Sequence, residues 1–147
     1  MQFNLDNTPD SYTIRSYAPG KALINLPVYM IDSSNDADAD ADLPAPTRIS
    51  QITITRSAIV TPHQLIDDWP PQTLDELDAR HIDALAELDP EIVLLGCGER
   101  LRWPDPALTA PLLECGIGVE IMDTGAACRT FNILISERRN VAAALLL

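Results

Sequence analysis

The sequence contains few positively charged residues. Its 147 residues include ten Lys and Arg against 22 Asp and Glu, which gives a formal net charge of −12. A chain this acidic is repelled by a phosphate backbone unless its basic residues form a concentrated patch. We therefore do not expect nucleic acid as a partner.

Long apolar runs are missing as well. The longest is the closing run of residues 141–147, far short of the roughly 18 to 20 apolar residues that a membrane-spanning helix requires. Residues 1–7 show neither the basic segment nor the apolar segment of a secretory signal. These absences predict a soluble, cytoplasmic protein without an integral membrane segment.

Cysteine is scarce. The sequence has three cysteines, Cys97, Cys115 and Cys128, and no two of them have C-x-x-C spacing. An odd count with this spacing argues against a disulfide framework and against a structural zinc site. We expect reduced thiols, and no metal or other cofactor.

The apolar content, by contrast, is sufficient for one domain. The length matches a typical single domain, and 46% apolar residues can fill its core. We predict a single α/β domain over residues 1–147, interrupted by a flexible acidic loop at residues 32–46. Its Asp-Ala repeat is similar to the start of an EF-hand, but Ala41 and Thr47 stand where that loop needs Gly and Glu.

The N-terminal half has the alternation of β structure. Predicted strands cover residues 12–17, 22–31 and 49–54, with a turn at Pro19-Gly20. Thr73 and Glu76 then match a capping box, which predicts a helix from Thr73 to the stop at Asp89-Pro90.

The C-terminal half alternates strands and helices in the order βαβαβ. The predicted elements are Ile92–Leu95, Pro106–Cys115, Gly118–Met122, Thr124–Arg139 and Val141–Leu147. This pattern is typical of a layered α/β domain. We expect the short apolar runs 92–95 and 119–122 to be buried and to pair in one sheet.

Several segments of this half occur in a known order: residues 90–98, 116–124, 126–134, 137–139 and 141–143. Together they resemble the small α/β domain family that includes assembly factor 3 of mitochondrial respiratory complex I, whose bacterial members have no assigned function. The resemblance implies a three-layer fold around a mixed central sheet, with no established catalytic activity and no cofactor. It also implies an accessory or assembly role through contacts with an unknown protein partner.

The sequence departs from this family at two places. The acidic stretch at residues 36–42 is an insertion, and Cys97 stands where the family more usually has threonine. The second departure weakens any case for thiol chemistry.

The turn Gly96-Cys97-Gly98 is the first candidate site. A glycine-flanked cysteine after a buried strand is similar to a nucleophile elbow, but His63 and His81 are the only histidines and no Cys-His-acid order is evident. A dinucleotide fingerprint fails because Leu101 occupies its third glycine position. A structural role is favoured, and no complete catalytic constellation is found.

The second candidate site follows the next strand. Asp123 and Thr124 open a helix, on which Arg129 and Asn132 also lie, at the sheet edge where ligands usually bind. This set fits a ligand or partner site, and it equally fits a helix cap with an internal polar network. A small ligand-binding or enzymatic domain using both candidate sites is therefore the alternative function.

A further alternative concerns the arginines of the second half. They are Arg100, Arg102, Arg129, Arg138 and Arg139. If they shared one face, that face could dock a charged protein. A scattered, solvated distribution is the commoner outcome.

Overall fold

The computed structural model describes residues 10–30 and 50–147. The predicted acidic loop at residues 32–46 lies outside these ranges. So do the two end residues, Ile31 and Ile49, of the second and third predicted strands.

The β-rich start forms a three-stranded antiparallel sheet in the order β1-β2-β3. The strands are β1 (Thr13–Ala18), β2 (Lys21–Asn25) and β3 (Gln51–Ile54). The turn between β1 and β2 is the predicted one, and Gly20 supplies its positive φ of 78°.

The second strand ends at Asn25 rather than at Ile31. Pro27 has no N–H to continue the ladder. Its carbonyl instead accepts a hydrogen bond from Met30 N–H at 3.0 Å, within a 3₁₀ turn over Val28–Met30.

The central layer is a five-stranded mixed sheet in the order β5-β4-β8-β6-β7. Its strands are β4 (Ala58–Val60), β5 (Leu65–Ile66), β6 (Ile92–Gly96), β7 (Gly118–Met122) and β8 (Val141–Leu145). β6 runs parallel to both β7 and β8, whereas β4 is antiparallel to β5 and β8. The expected pairing of the runs 92–95 and 119–122 is confirmed.

β7 differs from the buried strand that its apolar sequence predicts. It lies at the edge of the sheet, its residues are only partly buried, and Glu120 is exposed. β6 has a neighbour on each side and is buried from Val93 onward, whereas Ile92 is only partly buried.

In the described part of the chain, three α-helices complete the layers: α1 (Ala79–Glu87), α2 (Pro106–Glu114) and α3 (Thr124–Ser136). β8 shows the arrangement, since Val141, Ala143 and Leu145 pack on the side of α3 and the three-stranded sheet. The alternate residues, Ala142, Ala144 and Leu146, pack on the side of α1 and α2. The three-layer α/β architecture is confirmed.

The helix predicted to begin at Thr73 begins at Ala79 instead. Thr73 makes no side-chain cap, and Leu74–Glu76 form only a 3₁₀ turn. The cap is Asp78, whose carboxylate accepts from the N–H groups of Arg80 and His81, while His81 Nδ1 accepts from Asp78 N–H at 3.1 Å. The helix begins at the capping box of Asp78 and His81, because the segment between Thr73 and Asp78 places Leu74 and Leu77 in the core.

The ends of the other two helices follow local geometry. α2 stops before Gly116, which has the left-handed φ of 77° expected of it. α3 stops at Ser136, short of the predicted Arg139, because Arg138 takes a φ of 58° and leaves the helix.

Candidate functional site

The two candidate sites meet at the carboxyl ends of β6 and β7. Gly96 and Met122 are register partners at the ends of these parallel strands. The chain leaves β6 for α2 on one face of the sheet, and leaves β7 for α3 on the other face. Such a divergence opens the crevice in which α/β sheets usually bind ligands.

Thr124 closes this crevice. Its side chain is fully buried, and its hydroxyl donates to the Leu146 carbonyl at 2.6 Å and accepts from Gly98 N–H at 2.9 Å. Thr124 N–H also donates to the Gly98 carbonyl at 2.8 Å. One residue therefore joins the ends of β6 and β8 to the start of α3.

Gly96 allows this close approach. A Cβ at position 96 would lie 3.0 Å from Thr124 Cα, 3.1 Å from its hydroxyl oxygen and 3.2 Å from Ala127 Cβ. Gly98 is needed for a different reason, because its φ is 112° and a Cβ there would meet nothing. Gly96 therefore serves the packing of the turn, and Gly98 serves its backbone conformation.

Cys97 organises the loop that follows β6. Its buried sulfur lies 3.1 Å from the Met122 carbonyl oxygen and 3.3 Å from the Arg100 carbonyl oxygen, and it accepts from Arg102 N–H at 3.2 Å. These contacts are all with backbone atoms. His81, which could have served as a base, is held in the capping box of α1.

Asp123 caps α3. Its carboxylate accepts a hydrogen bond from Ala126 N–H at 2.9 Å, which satisfies one of the free donors at the helix start. Behind it, burial raises the pKa of the Cys128 thiol to about 12, Arg129 opposes this, and Asp123 adds to it. Cys128 is therefore an unreactive core residue.

Asn132 and Arg129 lie on different sides of α3. The Asn132 amide accepts from Ile14 N–H at 2.9 Å and donates to the Ile14 carbonyl at 2.8 Å, so it attaches α3 to β1. Arg129 lies on the exposed side of α3. Its guanidinium nevertheless lies near Asp123, since a Cβ at Gly125 would be 3.3 Å from Asp123 Oδ1 and 3.5 Å from Arg129 Nη1.

The five arginines of the second half do not share one face. Arg100 and Arg102 lie in the loop that leads to α2, and Arg102 pairs with Asp75 at 3.0 Å. Arg129 and Arg138 lie on or just after α3, in the opposite layer, and Arg139 pairs with Glu91 at 2.8 Å. The scattered distribution is therefore the one observed.

Sequence reasoning does not single out the exposed apolar side chains between β6 and α2. Trp103 is 72% exposed and Leu101 is half exposed. In the sequence, Leu101 and Trp103 alternate with Arg100 and Arg102. Such alternation is typical of a solvated segment and does not predict an exposed tryptophan.

A family model described as "Protein of unknown function (DUF498/DUF598)" matches residues 44–146. A Xenopus tropicalis protein named NADH dehydrogenase (ubiquinone) 1 alpha subcomplex assembly factor 3 is 46% identical over 56 residues, covering 38% of this chain and 31% of that protein. A Francisella tularensis subsp. holarctica protein named 13 kDa major membrane protein is 30% identical over 73 residues, covering 50% of this chain and 59% of that protein. The chain thus matches less than two thirds of either relative.

A solved structure shares the fold over a greater length. The crystal structure of a Bordetella parapertussis protein superposes with a TM-score of 0.71 at 29% identity, covering 95% of this chain and 98% of that one.

In residues 10–30 and 50–147, no helix is long and apolar enough to cross a membrane.

Proposed function

Since this chain belongs to the DUF498/DUF598 family, which has no assigned function, we propose that it is a non-enzymatic accessory protein that acts through protein–protein contacts during assembly of a larger complex. The observation that carries the proposal is the closure of the sheet edge by Thr124. These hydrogen bonds hold the ends of β6 and β8 against α3, at the edge where α/β sheets usually bind ligands.

The alternative, a ligand-binding or enzymatic domain, would need a concave site at the same edge. The turn at residues 96–98 and the cap at Asp123 instead bond to neighbouring backbone. One pocket among the described residues, of about 240 Å³, is lined by Thr53, Ile54, Thr55, Arg56 and Asp67. It includes none of the candidate site residues.

The name of the Xenopus relative suggests the complex to test first, namely the respiratory NADH dehydrogenase. The gene is deleted in the source organism, and membranes are resolved by native electrophoresis with staining for NADH dehydrogenase activity. We expect less of the fully assembled complex in the deletion strain, and recovery when the gene is restored. An unchanged amount of assembled complex would contradict this assembly role.

We further propose that the protein works in the cytoplasm. The three cysteines are free thiols and Cys115 is exposed, which suits a reducing compartment. The Francisella relative is named a membrane protein, so fractionation of cells is the direct test. Recovery in the membrane fraction after a high-salt wash would refute a cytoplasmic location.

A further inference from the structure

α2 is apolar on nearly every side. Thr109 and Glu114 are its two polar residues. Leu112 is buried against the central sheet and Leu108 packs beside it, whereas the opposite side exposes Pro106, Ala107, Pro111 and Leu113. A helix that is apolar all round is normally covered all round.

The loop before α2 continues this apolar surface with Leu101 and Trp103. The loop is held in place, since Arg102 N–H bonds to the Cys97 sulfur at 3.2 Å and its guanidinium bonds to Asp75 at 3.0 Å. The indole of Trp103 is thus presented to solvent from an anchored backbone. We call the exposed side chains of Leu101, Trp103, Pro106, Ala107, Pro111 and Leu113 the α2 surface.

Exposed carboxylates lie on α2 itself and on the neighbouring helix α1. α1 packs beside α2 on the same side of the sheet, and its outward residues include Asp83 and Glu87, while Glu114 ends α2. Within the described part of the chain these three carboxylates form no ion pair.

The arginines on the α1 and α2 side of the sheet do not neutralise these three carboxylates. Arg80 is engaged by Asp78 at 2.8 Å and Arg102 by Asp75 at 3.0 Å. Arg100 is the remaining arginine near the α2 surface in the described ranges. The apolar surface therefore lies within a negative field, in a chain whose total charge is −12.

We propose that the α2 surface binds a partner protein through a segment that presents an apolar anchor side chain flanked by Lys or Arg. The anchor buries Trp103 and Leu113, and the flanking cations meet Asp83, Glu87 and Glu114, which is the charge complementarity that protein interfaces use. This inference rests on the proposed function and specifies the chemistry of the partner.

The same charges disfavour two other occupants. A second copy would bring two negative faces together, and an anionic lipid surface would be repelled by the same carboxylates. Both are outcomes that the experiment distinguishes.

The probe is a short helical peptide of Leu and Lys at helical spacing, labelled with fluorescein for anisotropy. Two matched peptides replace every Lys with Glu or every Leu with Ser. We expect the Leu/Lys peptide to bind saturably to the full chain, and both matched peptides to bind about tenfold or more weakly. Because Trp69 is buried and Trp103 is exposed, a blue shift of tryptophan emission on binding reports on Trp103.

The chain offers a matched pair of variants for locating the site. Leu113 and Ile133 are both 58% exposed, but they lie on α2 and α3, in opposite layers. Leu113→Ser and Trp103→Ser should each weaken the Leu/Lys peptide about tenfold, and Ile133→Ser should leave its Kd unchanged. Thermal denaturation verifies that all three variants are folded.

The proposal is overturned if Leu113→Ser and Ile133→Ser bind the Leu/Lys peptide with equal affinity. It is also overturned by a dimer in sedimentation equilibrium that Leu113→Ser abolishes, or by binding to phosphatidylglycerol vesicles that Trp103→Ser abolishes. Complementation of the deletion strain distinguishes failure of the proposed function from failure of this inference. If deletion causes no assembly defect, the proposed function fails, and if Leu113→Ser and Trp103→Ser both restore assembly fully, this inference alone fails.

Discussion

At the scale of single residues, the carboxyl edge of the central sheet depends on one hydroxyl. Thr124 Oγ1 bonds to the Gly98 N–H and to the Leu146 carbonyl, and all of these contacts are buried or partly buried. The sequence shows Thr124 as the first residue of a helix. It does not show that Gly96, far away in the chain, leaves the space that this residue fills.

Replacement of Thr124 by valine tests the hydroxyl alone, because the two side chains have nearly the same shape. Thr124→Val leaves a buried donor and a buried acceptor unsatisfied, so we expect a loss of about 1–3 kcal/mol in the free energy of unfolding. Thr124→Ser keeps both hydrogen bonds and should lose less. Urea denaturation measures both, and a valine variant as stable as the wild type would rule out the role given to this hydroxyl.

Cys97 is expected to tolerate threonine, the residue that the family resemblance suggests for this turn. The Thr hydroxyl can donate to the Met122 carbonyl and accept from Arg102 N–H, as the sulfur does. Cys97→Thr should therefore leave the denaturation midpoint nearly unchanged, and Cys97→Val should lower it. An alkylation rate at Cys97 far above that of a free thiol at neutral pH would instead support an activated nucleophile.

At the scale of elements, α3 serves as a partner for an edge strand. β1 ends the three-stranded sheet, and the Asn132 amide pairs with both backbone groups of Ile14 as a neighbouring strand would. Edge strands that lack such cover are prone to pair with other chains. The sequence indicates α3 and β1 separately, but a contact across 118 residues has no local signature.

Asn132→Ala should remove this cover. We expect a loss of about 1–3 kcal/mol, because Ile14 N–H and C=O lose their partners in a partly buried place, and faster hydrogen exchange at Ile14. Ser136→Ala is the control on the same helix, since the Ser136 hydroxyl bonds only to Ile133 within an exposed turn. Equal exchange rates at Ile14 in the two variants would disprove the attachment.

The N-terminus of α1 should respond to acid. The hydrogen bond from Arg80 lowers the pKa of Asp78 from 3.8 to about 2. A folded-state pKa below the unfolded value contributes stability above about pH 4, and this contribution is lost as the pH falls from 4 towards 2. Asp78→Asn keeps a capping oxygen and removes the titration, so its Tm should fall less steeply over this range. Parallel slopes of Tm against pH would refute the assignment.

The elements that the sequence predicts well are those with a strong local pattern. β6 and β8 are continuous apolar runs, and α2 has Pro106 at its first position and Gly116 after its end. β4 and β5 are too short to show alternation, and their burial comes from neighbours distant in the chain. The start of α1 is misplaced because two capping boxes lie close together and only packing selects between them.

At the scale of the whole molecule, one core joins the β-rich start to the C-terminal half. Ile14 and Ile24 of the small sheet pack in the same cluster as Phe131 of α3 and Leu145 of β8. We therefore propose that the chain is a single domain.

A single domain should unfold in one cooperative transition. In Trp103→Phe the buried Trp69 is the one remaining tryptophan, and it reports on the side of α1 and α2. Its fluorescence and the far-UV circular dichroism should give the same midpoint and the same m-value in urea. Two separated transitions would mean that the layers fold independently.

The central position of β8 has a consequence for synthesis on the ribosome. β8 lies between β4 and β6, yet it follows every other described strand in chain order. Until residues 141–145 leave the ribosome, the β4–β5 pair and the β6–β7 pair lack their common neighbour. The edges of β4 and β6 that pair with β8 are then uncovered. Such edges invite pairing with neighbouring chains, so translation must pass Val141–Leu145 before this sheet is protected.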